Sequence, residues 1–263
     1  MTGDGVNDVL ALKDADCGIA MASGAEAACH AAQLVLLDSN FACLPQVVAE
    51  GRRVINNIQR SASLFLVKNI FSFILALFTL VVDMAYPFMP VQLSLISALT
   101  IGFPAFVLAL EPSESLVRGR FLTNVLREAF PGGLTDLLLL LCIQFYAFMF
   151  GFPHESLSTM CTMCVAFVGV LVLYQVSKPL DWKRWLLLGT VVCALLICIK
   201  ELGWFFYLTD LTIHETLIMA LFLPLAWFIM RGMLGVFNRG EKIWNALGRI
   251  HRRGKRVRQE KKS

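Results

Sequence analysis

At 263 residues, 57% of them hydrophobic, and with a mean hydropathy of +0.69, the chain is too apolar for a soluble domain. Its 16% charged residues gather toward the two ends, which excludes a chain embedded in a membrane throughout. The formal charge of +4 is modest, and most of the excess lies in the last residues.

The chain opens on MTGDGVNDVLALKDADCGIAM, where Asp4 and Asp8 stand four residues apart in a glycine-rich turn with Asn7. Such a turn is suited to holding a metal ion against a phosphate. NDVLALKDA has helical spacing, with Val9, Leu10 and Leu12 on an apolar side. CGIAM reads as a short buried strand followed by the turn ASG, AEAACHAAQ as a helix, and LVLLD as a second buried strand. This alternation predicts the back half of a parallel α/β sheet. About 40 residues cannot bury a core of their own, so the front half is expected in other polypeptide.

From Phe41 one long helix is expected, polar and amphipathic at first and apolar from Leu64 to Val82, the length a bilayer crossing needs. Further apolar spans follow at about 90–110, 133–151, 157–175, 184–200 and 212–230. The chain thus divides into a soluble part at 1–50, a six-helix all-α transmembrane domain at 51–232, and a basic tail at 233–263. One set of connections carries Arg118, Arg120, Arg127, Lys178, Lys183 and Arg184, while the other carries Lys200 alone. That asymmetry predicts a multi-pass protein of the cell membrane with both termini cytoplasmic. Trp182, Trp185, Trp204, Tyr207 and Trp227 fall near span ends, as interface aromatics do. The tail, ending GRIHRRGKRVRQEKKS, reads as a cytosolic segment that touches anionic lipid, with no nucleic-acid partner. The polar, acidic first twenty residues do not read as a cleavable signal peptide.

Eight scattered cysteines form no disulfide framework, and the Cys161–Cys164 pair, lacking His or acidic neighbours, reads as helix packing. Polar groups inside spans are costly and usually functional. The first span carries Lys68, Asn69 and Ser72, and the second Gln92, Ser94, Ser97 and Thr100; neither contains an acid. Lys68 either snorkels to the interface or serves as a built-in countercharge. Asp136, close to the expected start of the third span, is either a functional acid or an end-of-helix acid of the cytosolic headgroup zone, the reading preferred here. Pro104 removes a backbone donor, which either frees a carbonyl for a substrate or kinks the helix for packing.

TGDGVND, followed by ALKDADCGIAM, EGRRVINNIQRSASLFLVKN and MPVQLSLISALTIGFPAFVLALEP, resembles the P-type ATPases over essentially the whole chain. The resemblance implies the C-terminal part of a haloacid-dehalogenase-like α/β phosphorylation domain followed by the membrane domain. It implies that Asp4 is the Mg²⁺ ligand, that Asn7 and Asp8 orient it and the phosphate network, and that Thr2, Gly3 and Gly5 shape the cofactor-binding turn. Mg²⁺ suits the chemistry because aspartyl phosphorylation needs its charge on the phosphoryl oxygens. ATP would be the donor, bound outside this sequence.

The DKTGT nucleophile, the nucleotide-binding and actuator domains and the first four membrane helices do not occur here. The chain is therefore expected to be the C-terminal part of a pump, with Met1 an internal methionine or a fragment boundary. Alone it would not hydrolyse ATP; the rest of the pump polypeptide is its implied partner, with the bilayer and a transported cation. Asn69 matches an asparagine ligand of the calcium-pump branch, with Ser72, Ser97 and Thr100 as further candidates. Ser72 and Ser97 stand where that branch has a glutamate and an asparagine, and Ile101 replaces its key aspartate. The usual two-ion calcium site is then not intact, and one divalent cation, Ca²⁺ first among candidates, is expected. The Lys68–Asn69 pair also resembles the lipid-flippase branch, which keeps a lipid substrate open as an alternative. A truncated membrane remnant without activity is the other.

Overall fold

A computed structural model describes residues 1–111, 116, 117 and 119–260, those at 238 and 241–260 by backbone alone. The expected basic residue Arg118 and the side chains of the tail's basic cluster lie outside the described residues. Two units are distinguished, the first holding residues 1–54 and the second beginning at residue 55.

The first unit alternates strand and helix. β1 (Thr2–Gly3), α1 (Val9–Asp14), β2 (Ile19–Met21), α2 (Glu26–Ala31) and β3 (Leu34–Leu36) follow in order. The strands form a parallel sheet in the order β1-β2-β3, with Thr2 opposite Ile19 and Ile19 opposite Leu34. Parallel pairing requires crossover connections, which α1 and α2 supply. The core is small: Leu12, Ala20 and Ala28 are fully buried, with Val35 and Cys29 packed against them. Leu10, expected on the apolar side of α1, is 76% exposed. In a six-residue helix only the stripe through Leu12 faces the sheet, and Leu10 lies about 160° round from it.

A short turn at Phe41–Cys43, capped by the Asn40 side chain accepting from the Ala42 N–H at 3.0 Å, leads into α3 (Leu44–Val82). The second unit continues with α4 (Pro90–Ile96), a π-helical stretch at Ser97–Gly102, and α5 (Phe103–Ala109). Then come α6 (Phe121–Phe150), α7 (His154–Val176), α8 (Trp182–Glu201) and α9 (Ile213–Glu260). Among the described residues six helices are long and apolar enough to cross a membrane: Phe41–Val82, Pro90–Ala109, Phe121–Phe150, His154–Val176, Trp182–Glu201 and Ile213–Phe237. The π-helical stretch sits just before Pro104, whose missing N–H removes the next regular hydrogen bond. The backbone of α9 continues helically through most of the stretch read as a tail, to Glu260.

α7 is the most enclosed of the six helices and packs against α6 and α9. Gly132 and Gly133 of α6 let α7 and α3, respectively, approach closely. A Cβ on Gly132 would come within 2.5 Å of Val172 Cγ2, and one on Gly133 within 2.8 Å of Ile70 Cγ2. Small residues at such crossings are how membrane helices gain dispersion contacts where lipid gives no hydrophobic drive. Cys161 and Cys164 are free thiols buried in this core, packed among apolar neighbours.

Candidate functional site

The opening turn is built at the carboxyl end of β1, where ligands of parallel α/β sheets bind. The Asp8 carboxylate folds back on it. Its Oδ2 accepts from the Gly5 N–H at 3.1 Å and the Asp4 N–H at 3.2 Å. Gly3 must lack a side chain, since a Cβ there would stand 2.6 Å from Asp8 Cβ. From the other side the Ala25 N–H donates to the Asp4 carbonyl at 2.7 Å. A Cβ on Gly24 would meet that same carbonyl oxygen at 2.4 Å, so the following loop closes on the turn by backbone contact.

Asp4 and Asn7 are exposed, and Thr2 lies within β1. The structure therefore brings Thr2, Gly3, Asp4, Gly5 and Asp8 into one turn and leaves the Asp4 side chain at the surface. Among the described residues no group of three or more His, Cys, Asp or Glu side chains could hold a metal ion. Mg²⁺ does not require one. It takes one or two carboxylates and fills its octahedron with water and phosphate oxygens, so a single exposed carboxylate at a strand end fits it.

In the second unit the polar groups of α3 and of the α4–α5 segment separate into distinct arrangements. Lys68 Nζ donates to Ser97 Oγ at 2.6 Å, and that hydroxyl donates in turn to the Leu93 carbonyl at 2.6 Å. The ammonium is thus engaged by a neighbouring helix. Thr100 is buried, and its hydroxyl donates to the Ile96 carbonyl at 2.8 Å. Ser72 Oγ pairs with Tyr86 Oη at 3.1 Å, and Asn69 is exposed. Lys68 and Ser72, four residues apart, therefore share a face of α3, while Asn69 lies about 100° round from Lys68.

Asp136 differs from the expectation. α6 begins at Phe121, so Asp136 lies in mid-helix, is 1% exposed, and borders the same cavity as Lys68 and Thr100. It is no headgroup acid. The helix absorbs Pro131, Gly132 and Gly133 and so begins well before the boundary expected at about residue 133. No pattern in the sequence marks Asp136 as buried, because hydrophobic periodicity is silent on which polar residue faces inward.

No family model matches the chain. Individual proteins do. It is 39% identical over 214 residues to the calcium-transporting ATPase CtpE of Mycolicibacterium smegmatis, covering 74% of this chain and 26% of that protein. It is 36% identical over 262 residues to CtpE of Mycobacterium bovis, covering 91% of this chain and 33% of that one. It is 35% identical over 226 residues to the probable cation-transporting ATPase exp7 of Streptococcus pneumoniae, covering 81% and 29%. The chain spans a quarter to a third of the length of these relatives.

Proposed function

Because this chain is homologous to calcium- and cation-transporting P-type ATPases over most of its own length, and is a multi-pass membrane protein, we propose that it supplies the C-terminal part of a divalent-cation pump. In this reading residues 1–50 complete a haloacid-dehalogenase-like phosphorylation domain. Ca²⁺ is the cargo, and both termini face the cytoplasm.

The observation that carries the reading is the Asp4 turn. The Asp8 carboxylate accepts both neighbouring N–H groups and so fixes the backbone from which the Asp4 carboxylate projects. In this reading the exposed Asp4 carboxylate holds Mg²⁺, which when bound would neutralise charge on the phosphoryl oxygens of an aspartyl phosphate. Asp4 would bind the ion; Asp8 would act as a positioning residue through hydrogen bonds to the backbone. Asn7, exposed beside them, would contact the phosphate network. α3 (Leu44–Val82) then joins the residues after this turn to Lys68 and Asn69 within one helix, a route by which phosphorylation would bias the transport site.

The test is phosphoenzyme formation from radiolabelled ATP by the full-length protein, together with Ca²⁺ uptake into reconstituted vesicles. Asp4→Asn should abolish both while leaving the protein folded. Wild-type phosphoenzyme levels in that variant would sink the assignment.

A further inference from the structure

α7 and α9 pack against each other, and each carries an aromatic followed four residues later by a cation. On α7 the pair is Tyr174 and Lys178, the lysine lying just past the helix end at Val176; on α9 it is Trp227 and Arg231. The two pairs line one cleft of about 260 Å³. A single water needs roughly 10–15 Å³ of such space, so a group of many atoms fits. The Tyr174 and Trp227 rings stand 6.3 Å apart across it, and the buried Leu171 and Met230 give it apolar wall.

Neither cation is balanced. The Lys178 ammonium sits 4.7 Å from the centre of the Tyr174 ring and donates to Gln175 Oε1 at 3.0 Å, both neutral groups. Arg231 is exposed, and no acid lines the cleft. Snorkelling alone would send each side chain separately to water, whereas these two converge on one space. Tyr and Trp settle at the boundary between bilayer and water, which sets the cleft at headgroup depth.

We propose that the cleft between α7 and α9 holds the headgroup of one anionic phospholipid, its phosphate bridging Lys178 and Arg231 and an acyl chain lying along Trp227 and Leu171. The ammonium keeps donors beyond the one given to Gln175, and the guanidinium fork matches phosphate oxygens. Two cations without an acid favour a head of net negative charge, because the ammonium of a zwitterionic head would find no carboxylate. In the orientation proposed above the cleft opens on the cytoplasmic leaflet, whose anionic lipids basic pockets between helices recognise. The site goes beyond the pump reading and requires only that the chain lie in a bilayer.

The experiment places the full-length protein in phosphatidylcholine nanodiscs containing rising fractions of phosphatidylglycerol brominated on its acyl chains. The part of the tryptophan quenching that Trp227→Phe removes reports the cleft. In the wild type it should saturate at a low fraction of the anionic lipid. Lys178→Gln and Arg231→Gln, both at exposed positions and checked for wild-type melting, should each weaken the binding about fivefold, and together about thirtyfold. Lys183→Gln, which removes an exposed cation of α8 outside the cleft, should leave it unchanged. Quenching in the wild type that only follows the bulk lipid fraction overturns the proposal, as does saturation in the double variant at the wild-type fraction. An effect of Lys183→Gln equal to that of Lys178→Gln overturns it in favour of general surface charge. Relief of quenching by inorganic phosphate, beyond that by chloride at equal ionic strength, overturns it in favour of a free-anion site.

Discussion

Arg184, the third residue of α8, offers the sharpest stability test. Its guanidinium is 7% exposed and meets three acceptors at once. Nε and Nη2 contact Glu111 Oε2 at 2.9 and 2.8 Å, while Nη1 donates to the Ser177 and Pro179 carbonyls at 3.0 and 2.6 Å. Removing one partner of a buried ion pair costs about 3–5 kcal/mol, because the other charge is left behind. The Glu111 side chain keeps 18% of its surface, so solvent takes up part of that loss and about 2–4 kcal/mol is the expected destabilisation of Arg184→Ala. For a unit of this size that lowers the melting temperature by roughly 5–10 °C, read by tryptophan fluorescence in detergent micelles. Arg184→Lys should fall between the two, since a compact ammonium cannot span the planar fork's acceptors. The double variant with Glu111→Ala should be less unstable than the sum of the singles by about 1–3 kcal/mol. Additive singles, or an Arg184→Ala protein that melts with the wild type, would refute the reasoning.

Gln92 is fully buried, its Oε1 accepting from Ser158 Oγ at 2.6 Å and from the Met89 N–H at 3.0 Å. Its Nε2 donates to the Tyr207 carbonyl at 3.3 Å. Gln92→Leu should therefore destabilise by about 2–4 kcal/mol despite its apolar surroundings, as orphaned donors outweigh added hydrophobicity, and a melt at or above wild type would count against this. Gly132→Ala should overpack the crossing by about 1–3 kcal/mol, with Val172→Ala in the same chain restoring part of the loss; no rescue in the thermal melt would mean the clash lies elsewhere.

Much of this molecule can be read from its residues. The strand–helix alternation of the first 40 residues and the six apolar tracts follow from periodicity and length, and the described residues hold three short parallel strands and six helices of membrane-crossing length. What periodicity missed has physical reasons. Pro131, Gly132 and Gly133 are helix breakers in water. Packed inside α6 they act as contact points, so the helix starts twelve residues earlier than about 133, at Phe121, and Asp136 moves from its end to its middle. Leu10 is apolar yet exposed because the sheet beside α1 is only three strands of two or three residues. The Lys68–Ser97 bond joins positions 29 apart, a relation that local spacing cannot express.

The π-helical stretch at Ser97–Gly102 has a consequence for the length of the chain there. A widened turn holds one residue more than an ordinary helix would, and each residue turns the helix by about 100°. Deleting a single residue within it would let the helix wind regularly, and everything beyond would swivel by that angle. Pro104, Ala105 and Leu108, which now face neighbouring helices, would then look outward to lipid, while Phe103 and Phe106 would be driven inward. The segment thus tolerates changes of side chain more readily than changes of count.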